Sequence, residues 1–296
     1  MTVLSRDGGK EQVGLGAMSL SQNPWDFPEW HGFARETALS VGLICAGVNG
    51  LGRATYADLG EYYVALFGIS NGVERLGKLV WAADFRLDHG RSPTDGELRK
   101  LGHKLDHIVD AVRSVERKRK LPVQYSFPED ELTGAIIESL TAFADASRGR
   151  YANFETIRGA TSPYDPVTNW WEHVVERILA RHFRGTRHEE RAEANATLIQ
   201  GLIGESSHVL HHDESGQRIS TIIGGSMRTA ENEMAQKYGR SYTLKLVRWM
   251  SDVFKEVGSF CPAGTPDPVL FGHDELVRTF RVRDRFLLTR KRWPLS

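Results

Sequence analysis

A mainly α-helical bundle, with a small β-hairpin element in its C-terminal third, is the fold this sequence predicts. Three observations predict it. Apolar residues recur at helical spacing, as at Leu66, Ile69, Val73, Leu76 and Val80 and again at Leu132, Ile136, Leu140 and Phe143. Helix-start signals are frequent: Thr94-Asp95-Gly96-Glu97 and Ser126-Phe127-Pro128-Glu129 read as capping boxes, and Asp165-Pro166 as an N-cap with proline in the first turn. Around Glu214-Ser215-Gly216, by contrast, two short flanking segments read as the arms of a hairpin.

In chain order, residues 1–24 are polar and glycine-rich and read as a flexible arm. Pro28 to Leu51 reads as a first helix. It ends in the cluster Gly47 to Gly52, a C-cap and turn, because no strand precedes it and no Gly-Lys-Ser/Thr closes it as a phosphate loop requires. Tyr62–Phe85 is a helix apolar nearly all round, hence buried. Its Gly68 and Gly72, one turn apart, predict close approach of another helix.

Thr94 opens the next helix, with Leu98, Leu101, Leu105, Ile108, Val112 and Val115 as one stripe and the basic run Arg117–Lys120 at its end. The Ser126 box opens another. A further helix begins at Asp165, and one more runs from Glu189 to about Ile203. Past the hairpin, two helices are expected at Met227–Tyr238 and Tyr242–Val257, then a strand at Phe280–Phe286 where apolar and basic residues alternate. The organisation this implies is an arm (1–24), a helical bundle (25–205) and a C-terminal α+β extension (206–296) packed on it.

Composition sets bounds. The 296 residues are 40% hydrophobic and 26% charged, an ordinary globular balance, and the net charge is zero. No global field therefore draws the chain to a nucleic acid or a membrane, and any such binding must come from a local patch. Cys45 and Cys261 make neither a disulfide framework nor a zinc motif, so a cytoplasmic setting is expected. The N-terminus lacks the basic-then-apolar pattern of a signal peptide, and no apolar run reaches the ~18 residues of a membrane span.

The polar residues of interest sit on the two central helices. Asn71, Glu74 and Lys78 share one face of an otherwise apolar helix, and buried charge must find partners, so a Glu74–Lys78 pair is expected. His103 follows Gly102, which lets another group come near. His208, His211 and Asp213 invite a metal reading, but His211 and the adjacent His212 would point to opposite faces of a strand, so no metal or other cofactor is expected. Arg281, Arg283, Arg285, Arg290, Lys291 and Arg292, beside Phe286 and Trp293, could track a phosphate backbone or equally form the charged face of an edge strand.

The segments Leu66–Leu79, Gly102-His103-Lys104-Leu105 and Arg150-Tyr151-Ala152-Asn153-Phe154 resemble a group of bacterial proteins that are similar to the HEPN superfamily of helical bundles, over about residues 55–180. Several members of that superfamily are metal-independent ribonucleases of toxin–antitoxin and phage-defence systems. Active members carry Arg, four to six residues, then His on one helix; the spacing to set against it here is Arg181 to His188, with Gly185 interrupting the helix.

The resemblance implies a defence- or stress-related binding module and a homodimer. In a nuclease, His103 or His188 would act as general acid or base, and Arg150 or Arg181 would stabilise the phosphorane charge. Asn71, Glu74, Lys78, Tyr151 and Asn153 would support the site. RNA or a partner protein is then the expected partner. Two other classes stand beside it: a non-catalytic subunit of a larger complex, and a metal-dependent hydrolase using the His208–Asp213 cluster.

Overall fold

The computed structural model describes residues 23–144, 157, 159, 164–204, 206, 207, 209–260 and 266–294. The proposed arm therefore lies outside the described residues almost entirely, as do Arg150, Tyr151, Asn153, His208 and Cys261. The chain is mainly α, with a single two-stranded hairpin among the described residues.

Helices α1 (Pro28–Leu51) and α2 (Gly60–His89) form the first antiparallel pair. Their closeness is written in glycine. A methyl group at Gly72 would lie 2.5 Å from Ile44 Cγ1 and 3.1 Å from the Ser40 carbonyl oxygen, and one at Gly68 would lie 2.8 Å from the Leu43 carbonyl oxygen. The Ser40 hydroxyl donates to the Gly72 carbonyl at 2.8 Å across the same contact. The close approach expected from Gly68 and Gly72 is thus present, and its partner is α1.

The helix expected from Thr94 is two helices. The Thr94 capping box forms as read, with both of its reciprocal hydrogen bonds, but α3 (Asp95–Arg99) stops after five residues. Gly102 then takes φ +67, and α4 (Leu105–Arg119) starts afresh. The Ser126 box does not form. The Asp252 carboxylate accepts from the backbone N–H of Gln124 and of Tyr125, holding the preceding loop out of helix, and Asp130 instead caps α5 (Glu131–Ala144) through the N–H of Leu132.

Asp165 caps the next helix as expected, accepting from the Thr168 N–H at 2.8 Å. That helix runs as α6 (Pro166–Trp170), a π turn (Trp171–Val175) and α7 (Glu176–His182), and Gly185 at φ +68 separates it from α8 (Arg187–Ile203). The hairpin is present with β1 (His211–His212) antiparallel to β2 (Arg218–Ile219), and is much shorter than its sequence pattern.

The largest departure is α9 (Ile222–Gly258), one unbroken 37-residue helix where two were expected. Gly239 does not break it, because a side chain there would only touch Leu51, Trp170 and Ile178, at 3.6–3.9 Å, and the backbone is enclosed by those residues. The C-terminal half of α9 is buried nearly all round, through Leu244, Val247, Trp249, Met250 and Val253, as befits a helix running through a core. Those residues belong to one hydrophobic cluster that also takes in α1, α2, α4, α5, α6 and α7.

The expected strand at Phe280–Phe286 is absent. A 3-10 turn (Arg278–Phe280) and the helix α11 (Asp284–Thr289), which follow α10 (Asp274–Val277), stand in its place. Of the alternating apolar residues Phe280 enters the core, Val282 packs partly against it and Phe286 is exposed, while Arg248 of α9 binds the Val282 carbonyl and the Asp284 carboxylate.

Candidate functional site

The N-terminal part of α1, the C-terminal half of α2 and the segment that carries α3 enclose a cleft of about 560 Å³. Helix α1 lends Glu29, Gly32, Phe33 and Glu36; α2 lends Asn71, Glu74, Arg75, Lys78, Leu79 and Ala82; the segment around α3 lends Ser92, Pro93, Leu98 and His103. Phe33, Leu79, Ala82, Pro93 and Leu98 make an apolar lining, and the polar groups come from α2, from Glu29 and Glu36 of α1, and from Ser92 and His103.

The polar centre is Glu74. Its Oε1 accepts from the Lys78 ammonium at 2.7 Å, one helical turn away, and from His103 Nδ1 at 2.8 Å, across 29 residues of sequence. An ionised carboxylate can only accept, so the proton of this bond resides on His103 Nδ1. In the neutral imidazole Nε2 is then the bare, accepting nitrogen. The His103 side chain is 78% exposed while that of Glu74 is 13% exposed, so the carboxylate is the fixed partner and the imidazole the accessible one. A carboxylate that sets the tautomer and orientation of a reachable histidine is the arrangement general acid–base chemistry uses. The expected Glu74–Lys78 pair is present, and His103 joins it. Asn71 donates to the Phe67 carbonyl at 2.8 Å, and Arg75 pairs with Glu36 across the cleft.

The other sequence candidates are placed elsewhere. Arg181 is engaged by Asp130 at 2.7 Å, Glu131 at 3.3 Å and the Tyr242 hydroxyl at 3.3 Å. The Tyr242 and Asp130 bonds hold its guanidinium firmly protonated. His188 lies in the first turn of α8, exposed, with its backbone N–H on the Thr186 hydroxyl. Arg181 and His188 are therefore on different helices, divided at Gly185, and do not share a helical face.

The residue next to Arg181 was missed by sequence reasoning. His182 Nε2 is 3.0 Å from the Tyr242 hydroxyl, and its ring stacks on Tyr238 at 3.7 Å between centroids. Burial, followed by the charges of Arg181, Lys245 and Lys237, lowers its pKa. Nothing local signals this cluster, because Tyr238 and Tyr242 come from α9. The α1 wall of the cleft was missed too, although Gly32, which leaves open space on a helix face, was its one visible trace.

Of the residues named for a metal, Asp213 is committed to its turn: Oδ1 accepts from the N–H of Ser215 and of Gln217, and Oδ2 lies 3.3 Å from Arg228. His211 is set edge-on against Tyr56. Among the described residues no group of three or more His, Cys, Asp or Glu side chains is placed to hold a metal ion.

Arg281 of the C-terminal basic run is taken up by Asp252 at 3.3 Å and Asp274 at 3.6 Å. Arg290 lies over the Trp293 ring and donates to the Arg292 carbonyl. Arg283, Arg285, Lys291 and Arg292 are exposed.

Compared with known proteins, the chain matches no protein-family model, no curated protein and no solved structure. No helix among the described residues is long and apolar enough to cross a membrane.

Proposed function

We propose that the cleft between α1, α2 and the α3 segment binds a small molecule with an apolar body, and that His103, oriented by Glu74, exchanges a proton with the polar group of that molecule. The observation that carries this reading is the convergence of Glu74, Lys78 and His103 on one rim of a largely apolar cleft. Ligand pockets characteristically join an apolar lining to a few placed polar groups, and 560 Å³ suits a small organic molecule. The charges favour a neutral ligand over a polyanion. Three carboxylates, Glu29, Glu36 and Glu74, line the cleft against the two fixed cations Arg75 and Lys78.

N-phenyl-1-naphthylamine, a neutral fluorophore, tests the reading. Saturable binding by the full chain should vanish in Gly32→Phe, since position 32 opens on the cleft with nothing within 4 Å of an added Cβ. Equal binding by the two proteins would refute it.

A second reading comes from the exposed Arg283, Arg285, Lys291 and Arg292 beside the exposed Phe286. It is the RNA-binding, HEPN-like role in a cytoplasmic homodimer that the sequence resemblance implies. RNA held there would bind electrostatically and weaken steeply with salt. Cleavage by a His/Arg pair would persist in chelator and disappear in His103→Ala or His188→Ala. Intact cellular RNA under those conditions would remove the nuclease part of this reading.

A further inference from the structure

The cleft has one wall unlike the others. Helices α1 and α2 hold each other at backbone distance, whereas Ser92, Pro93 and Leu98 belong to the segment joining α2 to α4. Within that segment α3 has no buried residue, and Leu98 is only partly buried against the core.

The segment is nevertheless stiff in itself. Arg91 donates two hydrogen bonds to the Glu97 carboxylate, at 3.0 and 2.8 Å. Glu97 accepts from both the Thr94 N–H and the Thr94 hydroxyl, while the Thr94 oxygen accepts from the Glu97 N–H. One carboxylate thus ties together residues 91, 94 and 97, a rigid body about two turns long.

At each end of that body is a glycine in the left-handed region, Gly90 at φ +66 and Gly102 at φ +67, and a side chain at either would meet nothing within 4 Å. With no Cβ, both positions can reach other φ and ψ values more readily than other residues, as suits a hinge. Each turn is held by one backbone bond, from the Gly90 N–H to Arg86 and from the Gly102 N–H to Arg99. The body is fastened to the rest of the protein by few groups. Ser92 accepts a 3.3 Å bond from Arg86, the Arg91 guanidinium lies 5.0 Å from the centre of the Phe85 ring, and Leu98 packs on the core.

We propose that residues 91–101 are a lid on the cleft, moving as one body about Gly90 and Gly102, with Leu98 as its apolar catch. The proposal rests on the cleft reading for its purpose. Its motion is testable without any ligand, so the two can fail separately. When the lid lifts, Pro93 and Leu98 leave the cleft and the apolar wall of α1 and α2 opens to solvent. His103 lies beyond the second hinge and stays on Glu74, so the proton-exchanging pair is in place before the lid closes.

Hydrogen exchange of the full chain, followed by mass spectrometry, tests the motion. Amides 95–101 should exchange at least tenfold faster than those of 76–83 in α2 and 108–115 in α4. Leu98→Ser should speed them further, with α2 and α4 unchanged. Stopped-flow mixing with N-phenyl-1-naphthylamine should then give faster association and dissociation for Leu98→Ser. Exchange of 95–101 as slow as that of α2 and α4, or exchange that rises equally in all three in Leu98→Ser, would overturn the lid. Fast, localised exchange with no binding of the fluorophore would keep the motion and remove its purpose as a gate.

Discussion

His103 Nδ1 lies 2.8 Å from Glu74 Oε1, the same oxygen that receives the Lys78 ammonium at 2.7 Å, so one carboxylate organises a histidine and a lysine from two separate segments. Lys78 comes with Glu74 through helical geometry alone. His103 comes from the other side of Gly102, just ahead of α4, and reaches Glu74 across 29 residues of sequence.

Removing the shared carboxylate is the first test. Glu74→Ala leaves the partly buried Lys78 without its acceptor, so stability should fall by about 1–2 kcal/mol. Chemical denaturation measures this. The same variant should free the His103 ring, seen as loss of the Nδ1–H resonance that the Glu74 bond protects.

Packing between α1 and α2 gives a sharper prediction. Gly72→Ala puts a methyl 2.5 Å from Ile44 Cγ1 and 3.0 Å from the Ile44 backbone nitrogen, which must move, so a loss of about 1–3 kcal/mol or more is expected. Gly96→Ala, in exposed α3 with only the Thr94 hydroxyl at 4.0 Å, should be neutral or stabilising by up to about 1 kcal/mol. Parallel urea titrations should separate the two variants.

The glycines of the α1–α2 contact also indicate what was legible in the sequence. Gly68 and Gly72 carried the mark of close approach at helical spacing, whereas Gly47, inside α1 with an added Cβ 2.7 Å from Ile69 Cγ1, was read as part of a C-cap and turn. The Thr94 capping box was legible because all its partners lie within four residues. The Ser126 box misled because the helix starts one turn later, at Glu131, where Asp130 supplies the cap to the Leu132 N–H. The break expected between Tyr238 and Tyr242 is absent, and the residues that enclose Gly239 there, Leu51, Trp170 and Ile178, are distant in the chain. In the site, Asn71, Glu74 and Lys78 were readable from α2 itself. The α1 wall was not, because no local pattern says which face of α1 remains unfilled beyond Ser40.

A buried network away from the cleft should be the most sensitive to truncation. The Glu214 carboxylate is fully buried and accepts from Arg228 Nε at 2.7 Å, while the guanidinium lies 3.7 Å over the Trp171 ring. The Tyr62 hydroxyl, which receives the Trp171 indole N–H at 3.0 Å, reaches the other Glu214 oxygen. Arg228→Ala strands that charge and should cost about 3–5 kcal/mol. Thermal unfolding of the variant checks it; a loss below about 1 kcal/mol would mean that Glu214 is readily neutralised in the fold.

Acid should weaken the fold in two stages, the first set by histidine. Burial lowers the pKa of His273, whose Nε2–H donates to the Val269 carbonyl at 2.8 Å and whose ring stacks against Phe33. The folded state therefore favours the neutral ring. Its contribution is complete above the unfolded value of about 6.5 and is lost as pH falls through the lower folded value. Melting temperature should thus decline below about pH 6.5, ahead of the carboxylates. His273→Gln should flatten that part of the profile, and an unchanged slope would exclude His273 as its source.

The central claim, that His103 presents a bare Nε2 to a ligand-binding cleft, is tested most directly by nitrogen-15 NMR of the imidazoles in the full chain. The neutral His103 ring should show a protonated Nδ1 and an unprotonated Nε2, assigned by the loss of these signals in His103→Ala. Adding N-phenyl-1-naphthylamine should shift the Nε2 resonance in the wild type and leave it unmoved in Gly32→Phe. An Nε2–H tautomer, or an Nε2 signal indifferent to the fluorophore in both proteins, would contradict the account.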